Sequence, residues 1–201
     1  YPPLYFWIFG SLGRIVHWDG IKAAQWGAIL TSAFLPLFSL WFAKACAWTK
    51  KEQRVALLIA GITLIALPTD AIMLKPYEVA AALLCVLWII SFIGLLKHPS
   101  QKLRLILGVS GGVIFLLYDF WFIFLIPAML GLILSNALTN KRRWAALSAD
   151  IKSFAIIGCL TTIIASPFLL PYLMDLVKLG QENYQVTYFF PTDAYLSAPW
   201  L

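Results

Sequence analysis

The sequence predicts an all-α, polytopic helical membrane protein, and three observations support this fold class. Hydrophobic residues make up 62% of the chain and charged residues only 12%, and the mean hydropathy is +0.85. A soluble domain with a solvated surface rarely reaches these values. The apolar runs are also continuous and rich in Leu, Ile and Ala, whereas a membrane β-barrel needs short segments that alternate in polarity.

Residues 1–20 predict an interfacial helix or outer segment. A Pro2-Pro3 pair leads into an aromatic run that ends near Gly10. A run of about 15 residues is short for a membrane span, which needs about 20. The aromatic and basic side chains in this segment are typical of anchors at the headgroup level. These anchors are Trp7, Arg14 and Trp18.

Residues 21–174 predict about six spans. A straight helix over 105–140 would be about 54 Å long, well beyond a hydrocarbon core of about 30 Å. We therefore expect this run to fold back at the tip 118–121, with a basic loop at 141–152 before the last span. Pro36, Pro167 and Pro171 predict bends. The predicted spans are about 22–44, 55–67, 77–96, two within 105–140, and 153–173.

Residues 175–201 predict an outer-face loop, because they are polar, aromatic and rich in turn residues. The chain begins without Met and stops within this loop, so we expect it to be a piece of a longer protein. Three single cysteines lie in apolar runs without CxxC spacing, and we expect them to be core residues. They are Cys46, Cys85 and Cys159.

The charge distribution predicts the topology. Three loops, at 44–54, 97–104 and 141–152, contain 11 of the 15 Lys and Arg residues. The positive-inside rule places these loops in the cytoplasm, so the other face is extracytoplasmic and the protein is a multi-pass protein of the plasma (inner) membrane. The net charge of +6 is then a topology signal and indicates no nucleic-acid partner. Seven of the nine acidic residues fall on or near the outer side, which indicates a polar site there.

The stretch 67–78 is the centre of this predicted site, because it places Asp70, Lys75 and Glu78 between two apolar runs. Charged groups so close to hydrocarbon are costly and usually functional. Carboxylates suit proton abstraction or a divalent metal ion, and a basic side chain suits a phosphate. This chemistry fits sugar transfer from a lipid-phosphate donor, with aromatic rings stacking on the sugar. The donor- or acceptor-binding candidates are Tyr1, Trp7, Asp70, Lys75, Tyr77, Glu78, Tyr118, Asp119, Tyr172 and Asp193, with Tyr5 and Trp121 as further stacking residues.

Each candidate also has a purely structural interpretation. Asp70 suits a turn or helix N-cap, and Lys75 suits a side chain that reaches along apolar surface to water. Glu78 would complement the dipole of a helix that starts near Pro76. Asp119 suits a solvated hairpin tip, and the aromatic residues suit the membrane belt or the core.

Several short aromatic and proline-containing motifs follow one another along the chain. They are Tyr1-Pro2-Pro3 with Phe6-Trp7, Lys75-Pro76-Tyr77, the hairpin with Tyr118, Pro171-Tyr172-Leu173, and Tyr188-Phe189-Phe190-Pro191 with Asp193. These motifs resemble those of the GT-C superfamily of polyprenyl-phosphate-dependent glycosyltransferases. Their order is most similar to the N-terminal membrane domain of the actinobacterial galactan arabinofuranosyltransferases, a family that often has Glu before the Pro-Tyr pair, where Lys75 stands here.

The resemblance implies an inverting transfer of a sugar, such as arabinofuranose, from a polyprenyl-phosphate donor to a glycan acceptor of the cell wall outside the membrane. In such enzymes the catalytic aspartate lies in an outer loop upstream of the segment matched by Tyr1. The catalytic base is therefore expected outside this chain.

Two other classes remain open on the sequence. A transporter or lipid flippase should show two related halves and broken helices at the midplane, whereas the sequence has no internal repeat and its polar groups collect at one face. This difference favours the enzyme. A non-catalytic membrane subunit fits the sequence as well.

Overall fold

The computed structural model describes residues 3–66, 75–140 and 143–178, and every regular element in these ranges is an α-helix. The all-α prediction is confirmed for this part of the chain. Compact packing divides the chain into residues 1–166 and 167–201, and all contacts given below lie within the first unit. The helices are α1 (Pro3–Ile15), α2 (Gly20–Ala45), α3 (Lys50–Ala66), α4 (Pro76–Lys97), α5 (Gln101–Leu117), α6 (Trp121–Thr139) and α7 (Arg143–Lys178).

Within the described residues, three helices are long and apolar enough to cross a membrane, judged by length and composition. They are α2, α4 and the Arg143–Pro171 part of α7. The 22 residues of α4 rise about 33 Å, close to the thickness of a hydrocarbon core. The 17-residue helices α3 and α5 rise about 26 Å each. The described residues thus contain three helices capable of spanning a membrane, and the six-span count stays a prediction.

Most predicted helix boundaries agree with the structure, and two do not. The break at the expected hairpin tip is confirmed, because α5 ends at Leu117 and α6 begins at Trp121. The basic loop expected at 141–152 is wrong, since α7 is helical from Arg143. Its first turns contain strong helix formers and no Gly or Pro before Gly158, so charge alone does not end the helix. The expected outer-face loop from Asp175 is likewise helical as far as Lys178.

The core is built around α4, which packs against α2, α5 and α6. Trp88 and Phe92 are fully buried, and their rings stack with centroids 5.7 Å apart. The Trp88 indole N–H donates a hydrogen bond of 2.9 Å to the Leu107 carbonyl on α5. Because a buried indole N–H needs a partner, this bond fixes how α5 lies on α4.

Helices α5 and α7 meet along a seam of glycines. Thr161 on α7 donates a hydrogen bond of 3.2 Å to the Gly108 carbonyl. A Cβ added at Gly108 would lie 2.6 Å from the Leu160 Cβ, and one at Gly112 would collide with the Ile164 Cβ. Gly108 and Gly112 are four residues apart, the small-xxx-small spacing that lets membrane helices approach closely. Only glycine fits this helix-helix contact without a shift of one helix.

Two connectors of four residues share one backbone pattern. His17 and Ala47 have positive φ values of 56° and 59°, and the Trp that follows each donates its N–H back into the preceding helix. This is a left-handed C-cap. Thr49 then forms a capping box with Glu52, whose carboxylate accepts hydrogen bonds of 2.7 Å from the Thr49 N–H and hydroxyl. Both turns therefore connect their helices through a capped, hydrogen-bonded backbone.

The cysteines are free, and their burial differs from the expectation in one case. Cys46 and Cys85 are buried, as predicted. Cys159 is exposed, so the expectation that it belongs to the core is wrong. The reason is its helix, since only 17% of the most apolar window of α7 is buried inside the protein.

Candidate functional site

An apolar groove of about 750 Å³ runs along the bundle. Its floor is α4, its walls are α2 and α5, and α1 packs against both walls. On α2 the lining extends from Leu30 to Ala45, which corresponds to about 22 Å along the helix. The lining residues on the other helices include Leu4, Ile8, Ala80, Leu84, Val109 and Val113.

The few hydroxyl groups of the groove are mostly used within the protein. Ser110 donates a hydrogen bond of 2.6 Å to the Ile106 carbonyl, and Tyr5 donates one of 3.2 Å to the Ala24 carbonyl. Neither group needs a ligand to satisfy its donor. The groove is therefore suited to a hydrocarbon chain.

The groove opens along its side. Phe38 and Trp41 on α2 are 53% and 68% exposed, and Val109 on α5 is 46% exposed, although all three line it. Large apolar side chains at a rim are typical of a surface that meets hydrocarbon or a partner. A long apolar ligand can thus enter between α2 and α5 from the side.

Tyrosine rings lie at one end of the groove, which we call the aromatic end, and Tyr5 lines the groove itself. Tyr77 lies 5.3 Å from Tyr5 and 6.0 Å from Tyr118, measured between ring centroids, and Phe6 is 6.0 Å from Tyr77. Tyr5, Tyr77 and Tyr118 form what we call the tyrosine cluster. Burial, and secondarily the neighbouring Tyr77, raises the pKa of Tyr5 to about 12, so this phenol stays neutral at physiological pH.

Two predicted charged residues lie beside the tyrosine cluster, at the start of α4. Lys75 precedes Pro76, which takes the first helical position, where its missing N–H costs nothing. Glu78 follows in the first turn, and its carboxylate lies 3.4 Å from the Lys75 ammonium. The two side chains are 54% and 31% exposed, so the ion pair is weak and easily exchanged. Glu78 thus lies in the first turn of α4, where its charge complements the helix dipole as predicted, and it is also the acidic partner of Lys75.

The other predicted candidates are more scattered. Asp119 is exposed in the turn before α6, where its carbonyl accepts a hydrogen bond of 3.0 Å from the Phe122 N–H. Trp7 is 48% exposed and lies about 200° round α1 from Tyr5, so it faces away from the tyrosine cluster. Tyr172 is in α7, and its side chain lies outside the described residues. Tyr1, Asp70 and Asp193 also lie outside them.

A metal ion, the other chemistry considered for the carboxylates, has no ready site in the described ranges. No group of three His, Cys, Asp or Glu side chains comes together there. Glu78 and Asp119 stand singly at the aromatic end, and each would supply one oxygen ligand group, whereas Mg²⁺ or Ca²⁺ takes six or more oxygen ligands, from protein and water.

Trp121 contributes a feature that the sequence did not reveal. Its indole N–H is buried without a hydrogen-bond partner among the described residues. It begins α6 and so lies at the same end as Tyr118. An unpaired buried donor costs about 1–3 kcal/mol, which a ligand oxygen would recover.

A second, polar pocket of about 390 Å³ lies at the opposite end of the groove. The loops 46–49 and 98–100 meet there, and we call it the basic end because Lys50, Lys97 and Lys102 flank these loops. The Trp48 indole N–H donates a hydrogen bond of 3.0 Å to Ser91. Hydrogen bonds from Thr49 lower the pKa of Glu52, and burial raises the pKa of the Cys46 thiol. The sequence predicts only cytoplasmic loops at this end and no binding site.

Comparisons with protein-family models, with curated proteins and with solved structures found no match to this chain. A function is therefore inferred from the groove, the tyrosine cluster and the charged residues beside it.

Proposed function

We propose that the chain is part of a GT-C-like membrane glycosyltransferase, which transfers a sugar from a polyprenyl-phosphate donor to a cell-envelope glycan outside the membrane. The observation that carries this proposal is the apolar groove of about 750 Å³ that ends at the tyrosine cluster. The groove takes the polyprenyl tail, and the aromatic end takes the sugar phosphate. Arabinofuranose is the first donor sugar to test. The chain supplies a wall of the active site, and the catalytic base is expected upstream of Tyr1.

The apolar lining of the groove favours a site that binds the tail of a lipid over a path that moves a polar headgroup across the membrane. A flippase or transporter must move a polar or charged group through the hydrocarbon zone, and such a path needs polar partners along its length. Here the lining is almost entirely apolar, and Ser110 and Tyr5 already satisfy their hydroxyl donors within the protein. Polar side chains instead collect at the two ends, as binding an amphipathic donor requires.

The aromatic end has the groups that a sugar phosphate needs. Tyrosine rings stack on the apolar faces of sugars, and a cation at the start of α4 attracts the phosphate. Lys75 is held by Glu78 in an exposed pair, worth about 0–1 kcal/mol. A phosphate can therefore replace the carboxylate at little cost. When the phosphate leaves with increased negative charge, Lys75 stabilises it.

Filling the groove tests the proposal. The experiment uses the full-length protein in membrane vesicles, with polyprenyl-phospho-arabinofuranose donors of long and short tails. Val113→Trp places an indole in the groove, and the matched control Val86→Trp places one on an exposed position of α4 that does not line it. We expect Val113→Trp to raise KM for the long-tailed donor about ten-fold, with little change in kcat, because lost tail binding affects ground and transition states alike.

The phosphate contact is tested separately with Lys75→Gln and Glu78→Gln. Lys75→Gln should lower kcat and kcat/KM together, because its charge acts on the leaving phosphate, and Glu78→Gln should be milder. Equal kinetics for Val113→Trp and Val86→Trp would remove the groove from the donor site. Donor binding without transfer of any sugar by the wild-type protein would favour the non-catalytic subunit.

A further inference from the structure

The polar pocket at the basic end adjoins the groove. Ala45 and Ile106 line both spaces, so an apolar chain that lies against these two residues has a polar chamber at its head. Trp48 and Ser91 are hydrogen-bonded to each other on the wall of that chamber. The combination of an apolar channel and a polar chamber matches a ligand with a hydrocarbon tail and a polar head.

The charge around the pocket selects an anionic head. The segments 44–54 and 97–104 contain seven Lys and Arg residues and one acidic residue, Glu52. The carboxylate of Glu52 is already engaged by the hydroxyl and N–H of Thr49. Lys102 and His98 line the pocket itself, as does Glu52, whose carboxylate is held by Thr49. A cluster of cations at a membrane surface attracts anionic lipid headgroups, by about five-fold in affinity for each Lys or Arg.

We propose that this pocket binds the headgroup of an anionic glycerophospholipid, with one acyl chain in the basic end of the groove. The headgroup pocket lies at the opposite end of the groove from the sugar-transfer site, and it does not depend on the proposed reaction. The acyl chain would share the groove with the donor tail, because Ala45 and Ile106 line both spaces. Lys102 contacts the phosphate, and Ala45 and Ile106 contact the start of the acyl chain. The lipid comes from the leaflet on the side of the basic loops.

Native mass spectrometry of the purified full-length protein tests this site, with phosphatidylglycerol and phosphatidylcholine of identical chains as probes. The wild-type protein should retain phosphatidylglycerol in preference. Lys102→Gln should lower this retention about five-fold. The matched control Lys51→Gln removes the same charge from an exposed residue that does not line the pocket and should lower it less than two-fold.

A second pair of variants tests the space without changing charge. A Cβ at Gly94 meets nothing within 4 Å, and Gly94 lines the pocket, so we expect Gly94→Leu to reduce the space in the pocket. Gly61→Leu is the matched control, since a Cβ there is equally unobstructed and Gly61 does not line the pocket. Gly94→Leu should lower retention of phosphatidylglycerol, and Gly61→Leu should leave it unchanged.

Three results would overturn the inference. Equal losses for Lys102→Gln and Lys51→Gln would mean diffuse attraction of lipid to basic loops. Unchanged retention in Gly94→Leu would mean that the pocket is not occupied. Displacement of the lipid by an equimolar amount of glycerol 3-phosphate would mean that the site binds a free phosphate group and that the acyl chain contributes nothing.

Discussion

The two sides of α5 differ in how they meet the rest of the bundle. On one side Gly108 and Gly112 bring α7 so close that a methyl group would collide with it. On the opposite side larger residues, among them Val109 and Val113, line an open groove. The small residues therefore set how closely α5 approaches α7, whereas Val109 and Val113 border open space.

This difference shows that side-chain size alone does not predict close packing in such a bundle. Because lipid tails are as apolar as Leu, large side chains gain little by meeting another helix, whereas small ones allow backbones to approach. The glycine side should thus determine stability, and the groove side should determine ligand binding. The following variants test that separation, from the largest expected effect on stability to the smallest.

Gly112→Leu should have the largest effect, because its side chain would occupy the position of Ile164 on α7. Overpacking of this kind costs about 3 kcal/mol. Thermal unfolding in nanodiscs, followed by circular dichroism, should show a much lower midpoint. Gly158→Ala on α7, where a Cβ meets nothing within 4 Å, is the control and should be neutral or slightly stabilising. A Gly112→Leu protein as stable as the wild type would contradict the close contact between α5 and α7 at this position.

Trp88→Phe should cost about 1–2 kcal/mol, because it removes the hydrogen bond to the Leu107 carbonyl and leaves a small cavity. The same unfolding measurement applies. Trp41→Phe provides the comparison, since Trp41 is 68% exposed at the groove rim, and should change stability by less than about 0.5 kcal/mol. If both variants lost equal stability, the bond between α4 and α5 would not be the cause.

Thr161→Val should cost about 1 kcal/mol or less, since the Gly108 carbonyl loses one hydrogen bond while the volume of the side chain is kept. Thr63→Val is a suitable reference, because the Thr63 hydroxyl bonds only within its own helix, to the Ile59 carbonyl. The double variant Gly108→Ala with Thr161→Val should be non-additive, as the two sites touch. Additive effects would show that the hydroxyl and the glycine act independently.

Val113→Trp should have the smallest effect on stability, within about 0.5 kcal/mol, because it adds volume to open space. Its effect on donor binding should nevertheless be the largest of the four variants. Unfolding midpoints and donor KM values measured on the same preparations would show whether the variant with the smallest loss of stability has the largest loss of donor binding. A strong loss of stability in Val113→Trp would show that the groove is closed in the folded protein.

The sequence predicts the fold well wherever local signals determine it. Continuous apolar runs indicate the helices, and the length limit on a membrane helix places a break at the 118–121 tip, which the structure confirms. The prediction of a loop at 141–152 is wrong, since α7 begins at Arg143 and a cluster of charged residues alone does not stop a helix. Charged residues are tolerated at a helix end, whereas Gly, Pro and capping sequences are the usual stop signals.

The candidate site was predictable only where its residues are neighbours in the chain. Lys75, Tyr77 and Glu78 lie together because one helix start positions them. The contacts of Tyr77 with Tyr5 and Tyr118 join three helices, and periodicity reveals the faces of a helix but not its partners. The pocket at the basic end was missed for the same reason, since it forms only when two separate loops meet.

The side opening of the groove between α2 and α5 determines how such a protein must be handled. Any apolar chain dissolved in the surrounding phase has access to the rim formed by Phe38, Trp41 and Val109. In a bilayer, loading then depends on the mole fraction of the ligand among the lipids rather than on its aqueous concentration. In a micelle, the alkyl tail of the detergent is present in great excess and competes for the same space.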